Sequence, residues 1–338
     1  MISLLKFLAI AGLLACAPVA GNCAAQLDPF DQVKAMGRGL NIMGYDPVWD
    51  DVAKARIHER HFRIIREAGF QTLRVNLMAF DHMDAQNRLD PGWLKALDWV
   101  VKNALANDLT VILDEHDYNF CAEQSDACRT KLLAFWQQVA AIYADAPASV
   151  VFEILNEPNG QMNIQRWNAL LKEALAVIRQ SNRARNVVIG PAFWNAPFAL
   201  GTLDLPEDDR HLIATVHYYV PMAFTHQGAS WSKETANLSG VTWGTDAEKQ
   251  RVVNDFGRAA QWSKAHNRPI LLGEFGAYDK GPMESRTLYT AHVARAAEAL
   301  GWAWTYFQFD INFLAWDMDK DAWVEPIRKA LIPDAARP

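Results

Sequence analysis

Val150-Val151-Phe152-Glu153-Ile154-Leu155-Asn156-Glu157-Pro158 is an apolar run closed by an acid and then a proline. Ile270-Leu271-Leu272-Gly273-Glu274-Phe275-Gly276 repeats the plan, with glycine beyond the acid. Runs of this length, punctuated by Pro or Gly, read as strands buried on both faces. Such strands belong to parallel sheets covered by helices.

Working outward from these two runs, strand-like and helix-like segments alternate along the chain. Strands are expected at 39–42, 70–76, 109–115, 150–156, 187–190, 212–217, 270–274 and 302–307. Helices are expected at 53–68, 91–106, 130–144, 164–180, 246–266, 285–299 and 321–331, with Pro91 opening the second. Eight strands alternating with helices point to the α/β class and to a (β/α)8 barrel, which needs about 250 residues plus loops. A doubly wound open sheet is the alternative, but no glycine-rich dinucleotide loop follows any strand. No linker or internal repeat divides the chain, so residues 26–338 are expected to form a single domain.

The chain has 338 residues, 51% of them hydrophobic, enough for one large core. Its net charge of −6, without a basic cluster, argues against a nucleic-acid partner. Residues 1–25 read as an export signal: Lys6, then an apolar stretch from Phe7 to Ala15, then small residues. That stretch is too short for a transmembrane anchor. A secreted or periplasmic location is implied, with lipid anchoring through Cys16 as the alternative. Cys121 and Cys128, in a polar segment read as a loop, either form a small disulfide or stay as two thiols. No His or Cys ligand spacing predicts a metal, and no cofactor motif is present.

In a barrel the site lies at the C-terminal ends of the strands. The polar residues falling there are Asn41, Arg74, His116, Asn156, Glu157, His217, Tyr219 and Glu274. Taken singly, His116 and His217 read equally well as structural histidines, and Arg74 as a partner of Glu153 or Asp114. Burying the whole set unpaired is costly, so its gathering at one rim points to chemistry. Two carboxylates at strand ends are the minimum equipment for cleaving a glycosidic bond. Asp114 and Glu115 beside His116 raise a metal-dependent hydrolase as an alternative, but no His-x-His stands near a strand end.

Five ordered motifs carry a resemblance: Arg74-Val75-Asn76; Leu113-Asp114-Glu115-His116-Asp117-Tyr118; Asn156-Glu157-Pro158; His217-Tyr218-Tyr219; and Gly273-Glu274-Phe275-Gly276. Together they resemble glycoside hydrolase family 5, the retaining β-glycanases, from about residue 38 to 313. The segment 224–231, ending in Trp231, is similar to a loop of its endoglucanase branches. The resemblance implies Glu157 as acid/base and Glu274 as nucleophile, with Arg74 and Tyr219 holding Glu274 ionised. It places His217 near Glu157, Asn156 on a sugar 2-hydroxyl and His116 beside the sugar.

One departure stands out. Phe307 occupies the strand-eight position where the family usually carries a Trp that floors the sugar site, unless Trp302 or Trp304 takes that place. Trp194, Trp231, Trp243 and Phe307 are the candidate sugar platforms among an unusual 13 Trp. The implied substrate is a β-1,4-linked or mixed-linkage glucan, with mannan or xyloglucan as alternatives on the same scaffold. A non-catalytic carbohydrate-binding barrel is the alternative from another class.

Overall fold

The structure is a computed structural model that describes residues 26–333. Eight parallel strands close into a barrel in sequence order, β8 pairing back onto β1. In chain order the elements are α1 (Pro29–Met36), β1 (Arg38–Ile42), α2 (Glu59–Glu67), β2 (Thr72–Leu77), α3 (Pro91–Ala106), β3 (Thr110–Glu115), α4 (Tyr118–Glu123) and α5 (Ser125–Ile142). They continue with β4 (Val150–Glu153), α6 (Ile164–Arg179), β5 (Val187–Ile189), β6 (Leu212–Tyr218), α7 (Met222–Thr225), α8 (Asp246–His266) and β7 (Ile270–Phe275). Then come α9 (Met283–Ala299), β8 (Ala303–Tyr306), the two-residue strands β9 (Trp316–Asp317) and β10 (Ala322–Trp323), and α10 (Glu325–Leu331). The expected (β/α)8 barrel is therefore present, and the open sheet is not. The export-signal and Cys16 readings lie outside the described residues. Among the described residues no helix is long and apolar enough to cross a membrane.

Strand pleating sorts the side chains into two cores. One fills the space between strands and helices. The other is a plug of Ile112, Val151, Val188, Ile213, Leu271 and Ala303, which takes in Val33 and Met36 of α1. Helix α1 thus stoppers the N-terminal end of the barrel. It went unread in the sequence, although Asp28 caps it and Pro29 stands in its first turn.

Several boundaries differ from expectation for local reasons. The helix expected over 53–68 begins only at Glu59. Asp46 accepts from the backbone N–H groups of Arg56 and Ile57, and Asp51 from that of Ala53. Such side-chain bonds hold the chain in turns and compete with the helix. The helix expected to begin at 321 starts at Glu325, because β9 and β10 occupy the preceding residues as a small hairpin. The polar segment around Cys121 and Cys128 is helical, not a loop, and the two cysteines form a disulfide joining α4 to α5. Strand β4 leaves the ladder after Glu153, three residues before the expected end, and Asn156 and Glu157 sit in the turn beyond it.

Candidate active site

The strands place their last inward side chains in one polar cluster. Arg74, on β2, is fully buried at its centre. Its guanidinium donates to both oxygens of Glu153 (2.8 and 2.9 Å), to Glu274 Oε1 (2.7 Å), and to the side-chain oxygens of Asn41 (2.8 Å) and Asn156 (2.9 Å). It also lies 3.1 Å from Asp114. Both partners considered for Arg74 from the sequence are therefore real, and Glu274 is a third. Five donors in a rigid fork suit this hub in a way a lysine could not match.

Around Glu274 the donors converge. Tyr219 donates its hydroxyl to Glu274 Oε2 at 2.9 Å, while Arg74 holds Oε1. Glu157 stands differently. The chain after β4 turns sharply, and Glu157 adopts φ +41°, in the left-handed region. A non-glycine residue there costs about 1–3 kcal/mol. The turn aims the Glu157 carboxylate at His217, whose Nδ1 lies 2.8 Å from Glu157 Oε1 and 3.5 Å from Glu274 Oε2. His217 owes its own direction to a register shift between Val216 and His217 in the β6–β7 pairing. A bulge of this kind re-aims a side chain. Gly273 makes room for it, since a Cβ there would fall 2.9 Å from His217 Nε2.

One ligating atom from each of Glu157, His217 and Glu274 fits within a 4.8 Å span. That spacing is also what a cation would need, but Arg74 already supplies positive charge to this spot.

Burial raises the proton affinity of both acids, by unequal amounts. Desolvation and then the charge of Glu274 push Glu157 well above the ordinary carboxylate range. Desolvation also raises Glu274, but Arg74 and the Tyr219 hydroxyl draw it back down. Burial, reinforced by the charge of Arg74, lowers His217 well below its usual value, so its imidazole is neutral. Burial brings His116 down to about 4. Asp114, paired with His116 and held near Arg74, is raised by burial to about 7. A neutral His116 beside an Asp114 with raised proton affinity leaves Arg74 fewer charges to balance.

The predicted set of Arg74, His116, Asn156, Glu157, His217, Tyr219 and Glu274 is thus brought together. Asn156 offers its Oδ1 to Arg74 and turns its Nδ2 toward His116 Nε2 at 3.4 Å. The aromatic candidates divide. Trp194 and Trp231 stand about half exposed, at 52% and 53%. Phe307 is half-buried, resting edge-on against Phe313 at 5.5 Å, and its peptide bond to Gln308 is cis. Trp302 and Trp304 are buried, with the Trp304 indole donating to Glu298, so neither replaces Phe307 as a platform. Trp243 is buried against Tyr289 and His292, which removes it from the platform set. The sequence reading missed Asn195, which is fully buried and meets His217 Nε2 through its side-chain amide at 3.3 Å. Nothing in the spacing of Phe193-Trp194-Asn195 signals that contact.

Residues 33–313 match the family described as Cellulase (glycosyl hydrolase family 5). Endoglucanase H of Acetivibrio thermocellus is 28% identical over 284 residues, which is 82% of this chain and 30% of that relative. Endoglucanase A of Clostridium longisporum is 27% identical, over 70% of this chain and 48% of its own length. The chain therefore spans between about a third and a half of these curated relatives. Among solved structures, Thermotoga maritima Cel5A with cellobiose superposes with a TM-score of 0.86 at 36% identity, covering 90% of this chain and 100% of that one. The same protein has been solved with mannotriose. With the family model matched over residues 33–313 and the barrel shared with its solved members, the chain belongs to glycosyl hydrolase family 5.

Proposed function

We propose that the protein is an endo-acting, retaining β-1,4-glucanase that cleaves cellulose-like and mixed-linkage glucans. The observation that carries this reading is the asymmetric pair: two carboxylates bridged by His217, one of which also receives Arg74 and Tyr219. Glu274, steadied as a carboxylate, attacks the anomeric carbon. As the C1–O bond breaks, Glu157 gives its proton to the departing oxygen, leaving a glycosyl-enzyme ester. A water then surrenders a proton to Glu157 and attacks C1, which frees Glu274 and retains the anomeric configuration. Asn156, with Oδ1 committed to Arg74, keeps Nδ2 for the sugar 2-hydroxyl, a contact that strengthens in the transition state. His116 contacts the same sugar. Phe307, Trp194 and Trp231 supply flat apolar surface against sugar faces.

The relatives named endoglucanases and the cellobiose complex support the glucan choice. The mannotriose complex of the Thermotoga protein favours one second reading, a β-mannanase or a dual enzyme. Reducing ends released from carboxymethylcellulose, barley β-glucan, mannan and xyloglucan rank these choices. Turnover of mannan alone sinks the glucanase reading. Proton NMR of the first product decides retention, since an inverted anomer contradicts double displacement.

A further inference from the structure

The turn after β5 is strained without an obvious return. Phe193, Trp194 and Asn195 all lie in the left-handed region, at φ +66°, +54° and +55°. Asparagine tolerates this conformation, but Phe and Trp do not favour it, and three in succession are rarer still. The strain delivers Asn195 to one place. Its carbonyl accepts from the His217 backbone N–H at 2.9 Å, and its amide meets His217 Nε2 at 3.3 Å. The amide lies directly over Gly190, where a Cβ would fall 2.0 Å from Asn195 Oδ1. Asn195 thus grips His217 by main chain and side chain together.

The need for that grip arises from hydrogen-bond accounting. His217 Nδ1 faces two carboxyl groups, Glu157 and Glu274, and carries the proton in the form that donates to them. Burial keeps the ring neutral, so Nε2 must then accept and requires a donor. The charged and titratable groups that act on the ring are Glu157 after β4 and Glu274 on β7, both at Nδ1, together with the more general electrostatic influence of Arg74 on β2 and His116 after β3. The Asn195 Nδ2 is the group that meets Nε2. We propose that Asn195 is a positioning residue that locks His217 in its Nδ1–H form, so that His217 donates to Glu157 and never accepts its proton. In the other tautomer a bare Nδ1 would accept the Glu157 proton and hold it away from the departing oxygen. This inference rests on the reading of Glu157 as the acid.

The test uses Asn195→Asp, which keeps shape and backbone grip but offers Nε2 an acceptor. Nitrogen NMR of the ring identifies the protonated atom directly, without any substrate. In the unmodified protein the proton is expected on Nδ1, and in Asn195→Asp on Nε2. Turnover of cellobiosides with poor leaving groups should fall about 10- to 100-fold in the variant, within the range general acid catalysis contributes. Dinitrophenyl cellobioside needs no proton on its leaving group, so its kcat/KM, which reports only the steps through formation of the glycosyl-enzyme, should hold within about threefold. Asn195→Ala, which removes the donor without supplying an acceptor, should give a mixture of tautomers and an intermediate loss. A proton on Nε2 in the unmodified protein overturns the proposal whether or not the variants fold. So does an equal fall with both leaving groups, or an unmoved tautomer in Asn195→Asp. Glu157→Gln separates the two readings: if its turnover is unimpaired, the acid assignment fails while the tautomer result stands.

Discussion

The two ends of the barrel interior are built from the same strands and have opposite chemistry. At the N-terminal end, Ile112, Val151, Val188, Ile213 and Leu271 pack on Val33 and Met36 of α1. Nearer the C-terminal end, Arg74 meets Asp114, Glu153 and Glu274, with Glu157 close by. Only the aliphatic end gains stability in proportion to what it buries. At the polar end, taking charges out of water costs several kcal/mol per ion, which the pairing only partly offsets. The contrast teaches that the stability of this barrel and its chemistry are supplied by different layers, so that one can be altered without the other.

The sharpest break in that contrast is a change that removes chemistry without removing stability. Glu157→Gln and Glu274→Gln each preserve volume and delete a carboxylate whose ionisation burial already opposes. Turnover of β-glucan should fall by roughly 10³-fold or more, counting lost acid or nucleophilic catalysis. The melting temperature should hold or rise. A variant that loses both activity and stability would show that the acids also hold the barrel together.

Arg74→Met tests the polar end from its hub. It leaves Glu153 and Glu274 buried without their cation, and breaking a buried pair costs about 3–5 kcal/mol. Urea unfolding should show that loss, together with near-complete loss of activity. Met36→Ala tests the other end. Met36 is fully buried in the plug, and such truncations cost about 2–3 kcal/mol, toward the low end where a helix can settle inward. Activity at 25 °C should be intact, because Met36 belongs to the apolar plug and is not among the hydrogen-bond or ion-pair partners of Arg74. Lost activity in a folded Met36→Ala protein would mean that the two layers are coupled.

The two ends also differed in how plainly the sequence announced them. Arg74, His116, Asn156, Glu157, His217 and Glu274 end or follow apolar runs, and the cost of burying such groups without a task makes them conspicuous. The plug was half legible. Its strand residues show in the runs themselves, but α1 is short and precedes the first strand, so no alternation marks it. Asn195 was illegible because its role depends on backbone conformation at three successive residues and on two glycines far apart in sequence. The platforms were over-read. Trp243, Trp302 and Trp304 stand in polar or strand-end sequence, yet packing against Tyr289, Phe256 and Phe275 buries them. Exposure of an aromatic is a tertiary property, and composition alone does not carry it.

The smallest expected effect, and the one that weighs the two ends in a single measurement, is the dependence of stability on pH. Burial raises Asp114 to about 7 and Asp310 to about 6, and raises Glu115, Glu153, Glu157 and Glu274 above their ordinary values. An acid raised in the folded state contributes stability that is complete below its unfolded pKa and is lost as pH rises through the folded value. Histidines act the other way. Burial lowers His61 and His217, and brings His116 and His226 to about 4. Their contribution is present above the unfolded value near 6.5 and is lost as pH falls toward the folded one. Between pH 8 and about 6.5 only the acids titrate, so stability should climb on acidification. Below that the acids and histidines oppose one another, and the curve should flatten. Melting temperatures at steps of half a pH unit should show a rise of a few degrees from pH 8 to 6.5, then a plateau, in keeping with about 2–4 °C per kcal/mol for a domain of this size. Asp114→Asn should weaken the rise, since an amide has no proton to lose, while Met36→Ala should lower the whole curve without changing its shape. A curve that climbs with pH above 6.5 would place the ionised, not the protonated, acids in the most stable state of the polar end.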